Sequence, residues 1–230
     1  MWTRQELKAK GKEAFKANYW PNVLAAFLLM LLSTGTSVAT RSQTSDQNMQ
    51  NQLNGIPEDQ KALVVLTVIG TLSMIIIVSV LLDIFLFNPL KIGCYAFFKT
   101  NVQDNGRAEL GLLKEGFSDY GHKFITMFIS SLCIALGAIC FIIPGVVLAL
   151  SYRMVPFIVR DNPELSPMEV LKKSSEMMKG HKWNAFVLDL SFIGWDLLAA
   201  VTLGLVGLFW SNPYQYNTNA ALYLRLSGQE

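Results

Sequence analysis

Two stretches of this chain carry no charge at all, Leu63–Leu82 and Phe124–Leu150. Each is long enough for the ~20 apolar residues a helix needs to cross a bilayer. A helix satisfies its own backbone hydrogen bonds, the condition hydrocarbon imposes on any chain that enters it. Leu197–Trp210 is also uncharged but spans only together with its neighbours. Composition agrees, with 52% hydrophobic and 16% charged residues, where soluble domains carry roughly 25% charged. The class expected is an all-α integral membrane protein. The net charge of +2 is uninformative about partners, because its distribution matters more than its sum.

A charged amphipathic segment runs into an apolar one three times. The first opens on Thr3-Arg4-Gln5-Glu6 and closes on Tyr19-Trp20. The second opens on Glu109-Leu110 and closes on Gly121-His122-Lys123-Phe124. The third, Ser166–Trp183, closes on Gly180-His181-Lys182-Trp183. Glu6 precedes Trp20 by fourteen residues, as Glu169 precedes Trp183, and Glu109 to Phe124 is one longer. Thr3-x-x-Glu6 and Ser166-x-x-Glu169 read as capping boxes, and Pro167 sits at N1, where its missing N–H costs nothing. Leu171, Ser174, Ser175 and Met178 form a small-or-apolar stripe, with Lys172, Lys173, Glu176 and Lys179 on the wet side. Each copy reads as a helix lying in the membrane interface, its basic face on anionic headgroups. Trp20, His122, Lys123, His181, Lys182 and Trp183 mark the repeat and that interface.

Six spans follow: Trp20–Ala39, Val64–Phe87 and beyond, Phe124–Ile143, Val146–Arg160, Trp183–Val201 and Leu205–Leu226. Ile143-Pro144-Gly145 and Thr202-Leu203-Gly204 offer tight turns. The expected fold is about six transmembrane helices in three repeated hairpins, each preceded by a cytoplasmic amphipathic helix. The chain reads as one membrane domain with repeat units of approximately 1–100, 101–162 and 163–230. Residues 33–62 form a polar extracytoplasmic loop. The N-terminal run is kept as the first span rather than a cleaved signal, since its capped helix recurs downstream. Lys and Arg set orientation. Arg4, Lys8, Lys10, Lys12, Lys16, Lys99, Arg107, Lys114, Lys123, Arg160, Lys172, Lys173, Lys179, Lys182 and Arg225 fall on one side, against Arg41 and Lys61 on the other. Both termini are therefore expected in the cytoplasm. Pro89, Pro156 and Pro213 recur in the returning helices and are expected to bend them by freeing the carbonyl four residues back. Pro89 should turn its helix so that Lys91–Lys99 runs along the interface.

The strings MWTRQELKAKGKEAFKANYW, IIPGVVLALSYRMVPFIVRDNPELSPMEVLKKSSEMMKGHKW and LSFIGWDLL resemble an uncharacterised bacterial membrane family, domain-of-unknown-function 975. That resemblance implies a bacterial cell-membrane protein. The P-G and helix-G-x-x-W features are also similar to the membrane domain of some glycerophosphodiester phosphodiesterases. This second likeness implies a shared bundle and lipid proximity, and it transfers no catalytic residue.

Ionisable groups inside spans are the first functional suspects. Asp83, Arg153, Asp189 and Asp196 form a candidate intramembrane polar site, with Arg153 expected to pair with Asp83 or an aspartate of the fifth span. Left unpaired at the bilayer centre, each would cost about 2.5–3.5 kcal/mol. A pair that only fixes helix register, a solute or proton path, and snorkelling to the interface are the three readings of such a site. His122 and His181 lack ligand partners at metal-binding spacing and read as headgroup or helix-end hydrogen-bonding groups. Cys94, Cys133 and Cys140 read as packing residues. No nucleophile–base pair or nucleotide-binding loop occurs, so no catalytic residue, cofactor or metal is expected. Membrane lipids and a membrane protein are the expected partners, and nucleic acid is not. The function expected is a non-enzymatic lipid- or partner-interacting membrane module. The alternative is a small transporter or export-accessory protein built around the polar site.

Overall fold

The computed structural model describes residues 2–38, 58–82 and 88–229. Asp83 and most of the 33–62 loop lie outside the described residues. Within them every regular element is helical. In chain order these are α1 Arg4–Ala17, α2 Tyr19–Val38, α3 Glu58–Leu82, α4 Asn88–Gln103, a 3-10 helix Leu110–Phe117, α5 Tyr120–Cys140, α6 Ile142–Ser151, α7 Val155–Asp161, α8 Pro167–Met177, α9 Lys182–Leu190, α10 Ile193–Val201, a π segment Gly207–Ser211 and α11 Asn212–Ser227. The chain forms two compact units, one of Met1–Leu29 with Asn88–Glu230, the other of Met30–Phe87.

The smaller unit contains α3, which is apolar on every side that can be described. Leu63, Leu66, Ile69, Leu72, Met74 and Ile75 are all exposed. Thr67 and Thr71 return their hydroxyls to the backbone carbonyls of Leu63 and Thr67, at 2.8 and 3.0 Å, so α3 hides its polar atoms within itself.

In the larger unit α4 is the central helix. Ile92, Cys94, Ala96, Phe97, Phe98, Asn101 and Val102 are all buried, so the helix is covered around its circumference, as a core helix is. The 3-10 helix lies directly on it. A Cβ at Gly116 would sit 1.7 Å from the carbonyl oxygen of Pro89, and one at Gly93 would sit 2.1 Å from that of Leu113. Only glycine permits that approach. Most of the segment Lys91–Lys99 is therefore buried within the protein.

The first and third amphipathic segments are helices with the caps their sequences announce. Glu6 accepts from the Thr3 amide at 3.0 Å, and Thr3 Oγ1 accepts from the Glu6 amide at 3.3 Å. Glu169 accepts from the Ser166 hydroxyl and amide at 2.7 and 2.8 Å, bonds that hold its carboxyl below the usual carboxylate range. The second segment differs: after Glu109 the chain forms the 3-10 helix, because Gly111 and Gly116 disfavour an α-helix and suit a tight contact. The apolar stripes are also spent on protein. Leu7, Gly11, Ala14 and Phe15 are buried where α1 packs on α11, and a Cβ at Gly11 would meet Thr218 Oγ1 at 2.6 Å. On α8, Leu171, Ser174 and Met178 are buried, with Ser174 Oγ donating to the Ser151 carbonyl at 2.8 Å. Lys172, Lys173, Glu176 and Lys179 stay exposed, as their spacing predicts.

Pro156 does not bend a continuous helix, because the break Tyr152–Met154 precedes it. It stands in the first turn of α7, where a missing N–H is harmless. The residues just before Pro89 lie outside the described ones, and Pro213 sits, as expected, inside a helical run that continues from Leu205 through the π segment to Ser227. Pro213 frees the carbonyl four residues back, Phe209, and the Tyr19 hydroxyl donates to it at 3.1 Å. The turn Thr202-Leu203-Gly204 is present, with Leu203 and Gly204 at φ of +52° and +88°. The break before α6 falls at Phe141, so Pro144 and Gly145 lie inside the helix rather than in the turn.

Candidate functional site

Arg153 lies in the three-residue break Tyr152–Met154 between α6 and α7, which turns its side chain toward α9 and α11. Its two terminal nitrogens donate to the two carboxylate oxygens of Asp189, at 2.8 and 2.7 Å. One of them also donates to Asn219 Oδ1. This is the bidentate geometry that makes Arg–carboxylate pairs strong. The side chains are 14% and 37% exposed, so water screens part of the attraction. The expected pairing of Arg153 with an aspartate of the fifth span is thus present. Asn219 completes it, and its place in α11 was not legible from spacing.

Asp196 does not join this pair. A turn at Ser191–Phe192 separates α9 from α10, and Asp196 is exposed with Ser211 Oγ at 3.5 Å. Asp83 lies outside the described residues. Among the described residues the polar contacts of Arg153 are with Asp189 and Asn219.

Sequence reading missed two larger polar clusters, both centred on α4. Lys99 Nζ and the Tyr223 hydroxyl both donate to Asp161 Oδ2, each at 2.6 Å. Beside them Arg160 grips Glu115 Oε2 at 2.7 and 3.0 Å, and Lys123, 4% exposed, donates to the Glu115 carbonyl and Ser118 Oγ. Glu115, Asp119 and Asp161 border a cleft of about 350 Å³ together with Lys123 and Arg160, three carboxylates against two cations. The second cluster is four asparagines. Asn22, Asn101 and Asn217 are fully buried. Asn101 donates to the Ala14 carbonyl and Asn217 Oδ1, both at 3.0 Å, and accepts from Asn18 at 2.9 Å. Asn217 donates to Asn22 Oδ1 at 2.6 Å. Four segments meet on this network, and each amide is used. The available signal was an asparagine in each apolar neighbourhood, which spacing alone does not connect.

The repeat markers fare unequally. Trp20 and Trp183 are 70% and 71% exposed, as interface aromatics should be. His181 is half-buried against the Trp2 ring, centroids 6.0 Å apart. His122 departs from its expected role: both ring nitrogens are shielded and have no hydrogen-bond partner. Lys123 is buried while Lys182 is half-buried. Equal sequence positions thus occupy different surroundings. Among the described residues no cluster of three His, Cys, Asp or Glu side chains could hold a metal ion.

Exposed apolar residues complete the picture. On α5, Ile125, Phe128, Leu132, Leu136 and Ile139 form one exposed stripe, continued by Phe141, Ile142 and Ile143. Leu190, Ile193, Leu197, Leu198 and Val201 form another on α9 and α10. Contiguous surface of this kind marks contact with lipid or another protein. By length and composition, Tyr120–Ile139, Ile142–Asp161 and Lys182–Val201 could each cross a membrane. Tyr19–Leu32 and Leu66–Ile75 are shorter apolar helical stretches. Among the described residues the protein is thus all-helical, with three helical stretches compatible with a membrane protein. Residues 122–230 match the model of a family described as protein of unknown function (DUF975). No match was found among curated proteins or solved structures. The match supports the first resemblance drawn from the sequence over that segment, and nothing supports the second, to glycerophosphodiester phosphodiesterases.

Proposed function

We propose that the chain is a non-enzymatic, multi-pass module of the bacterial cell membrane whose basic helix faces engage anionic lipid headgroups. In this reading the three apolar helices belong to a set of six spans in three hairpins, and both termini are cytoplasmic. The carrying observation is the pairing of two surfaces on neighbouring segments. Exposed apolar stripes run along α5, α9 and α10, and α8, packed against α5, presents Lys172, Lys173 and Lys179 to solvent. A basic face next to an apolar one is what an anionic leaflet attracts, at about 1 kcal/mol per Lys or Arg near the surface. The polar interior supports a structural role, since Arg153, Asp189 and Asn219 satisfy one another.

The test is energy transfer from the protein's tryptophans to pyrene-labelled phosphatidylglycerol or phosphatidylcholine in mixed vesicles. Greater transfer to phosphatidylglycerol is expected, reduced in K172Q/K173Q/K179Q. Equal transfer to the two lipids would dismiss the reading. The alternative, a small transporter or export-accessory protein, draws on the charged pair at the helix break. It predicts loss of solute flux in D189N, where a module predicts none.

A further inference from the structure

We infer that the groove between the start of α1 and one face of α9 is a binding site for the phosphate of an anionic lipid headgroup. This assignment rests on the membrane-module reading above. Thr3, Arg4, Gln5, Lys8 and Ser191 border a cleft of about 400 Å³. A second cleft of about 340 Å³, lined by Trp2, Thr3, Arg4, Trp183, Asn184 and Val187, shares Thr3 and Arg4 with it. Trp183, Asn184, Val187 and Ser191 lie at positions i, i+1, i+4 and i+8, which puts them along one side of a helix. Arg4 stands where the two clefts meet.

Among the described residues no acidic side chain lines either cleft, whereas Arg4 lines both and Lys8, one helical turn on, lines the first. The nearest carboxylate in sequence, Glu6, is held by the Thr3 amide and lines a different groove, with Trp2, Lys10 and Arg225. Lys8 Nζ donates to the Ser191 carbonyl and hydroxyl at 3.2 and 3.0 Å and sits 4.3 Å from the Phe192 ring centroid. An ammonium has three donors, so one remains. Arg4 has no ion-pair or hydrogen-bond partner among the described residues, and its guanidinium fork suits a phosphate. Burial, and secondarily the charge of Arg4, depress the Lys8 pKa, the strain that an anion between the two would relieve. Trp2 adds an independent sign: it is 7% exposed, and its indole N–H has no acceptor among the described residues.

The position favours a lipid over a soluble anion. Ser191 lies where the surface of α9 and α10 turns apolar, at exposed Leu190 and Ile193, and Trp183 projects into solvent on the other side. A phosphate at Arg4 and Lys8 would thus lie at the edge of the apolar band, with an acyl chain free to follow it.

The experiment is native mass spectrometry of the full chain carried from vesicles of phosphatidylglycerol and phosphatidylcholine, with R4Q and R4K beside the wild type. One phosphatidylglycerol retained in preference to phosphatidylcholine is expected, held about tenfold more weakly in R4Q, the loss of one charge-assisted contact. R4K should recover part of that. Because Arg4 has no ion-pair or hydrogen-bond partner among the described residues, R4Q leaves their contacts in place, and unchanged helical circular dichroism checks that. Retention unaltered in R4Q overturns the site, even where the vesicle assay still shows phosphatidylglycerol enrichment and the module reading stands. Loss of enrichment in the wild type itself removes both. Displacement of the lipid by millimolar inorganic phosphate would overturn the lipid assignment in favour of a soluble phosphate ligand.

Discussion

The larger unit holds two regions of similar apolar character and opposite fate. In the base, α1, α4, α7, α8 and α11 bury Phe15, Phe97, Phe98, Phe157 and Tyr223 at 2% exposure or less. In the arm, α5 and α10 leave Phe128, Leu136, Ile139, Leu197 and Val201 largely uncovered. Hydrophobicity alone does not separate them. What separates them is the polar complement: the base carries asparagine, lysine and aspartate groups that are satisfied by one another, while the arm carries almost none. A segment that can pair its polar groups can close a core in contact with water, whereas one without them has to find another apolar phase.

The sharpest contrast comes from truncating equivalent aromatics and aliphatics in the two regions. Phe97→Ala should cost about 3–5 kcal/mol in a detergent-solubilised unfolding titration, while Leu136→Ala should change the same titration by less than about 0.5 kcal/mol. Equal costs would erase the distinction. Gly116→Ala follows, since its new Cβ meets the backbone of Pro89. A loss of about 3 kcal/mol or non-folding is expected, read by thermal unfolding, whereas Gly70→Ala in α3, where nothing lies within 4 Å, should be neutral or slightly stabilising.

Asn101→Leu removes the residue that ties Asn18, Ala14 and Asn217 together. Each buried partner left unsatisfied costs about 1–3 kcal/mol, so a clear drop in midpoint should accompany faster amide exchange in α1 and α11. Asp189→Asn should cost less, about 1–2 kcal/mol, because its side chain is partly exposed. The smallest effect concerns pH. Lys8 is depressed below the ordinary lysine value by burial and by Arg4, so the unfolded chain binds its proton more tightly. Stability should therefore rise with pH between the depressed value and the ordinary one, and the penalty is fully present below that window. Lys8→Met should flatten this alkaline rise in unfolding midpoint.

Much of the helical skeleton was legible because caps, charge-free runs and turns are local. Thr3-x-x-Glu6, Ser166-x-x-Glu169 and Thr202-Leu203-Gly204 each fix their own geometry within a few residues. The burial pattern of α8 was legible for the same reason. Misreadings arose where partners are distant in sequence. Lys91–Lys99 gives no sign of its burial until α11 and the 3-10 helix cover it, and Pro156 in an apolar run says "bend" or "start" only once its neighbours are placed. The candidate site divides in the same way. Arg153 stood out as a charge among apolar residues, and its aspartate was among those expected. Asn219, the asparagine network and the Lys99–Asp161–Tyr223 cluster carry no local mark, since an uncharged amide or a lysine near a helix end looks ordinary until the chain closes around it.

The central proposal is that the apolar stripe of α5 meets the hydrocarbon of a membrane while the basic face of α8 stays outside it. Spin labels at Leu136→Cys on α5 and Lys172→Cys on α8, in a chain lacking its native cysteines and reconstituted in vesicles, test it through collision with oxygen, which concentrates in hydrocarbon, and with a water-soluble nickel chelate. The account predicts a label at 136 that oxygen reaches and nickel does not, and the reverse at 172. Nickel access at both positions would contradict it.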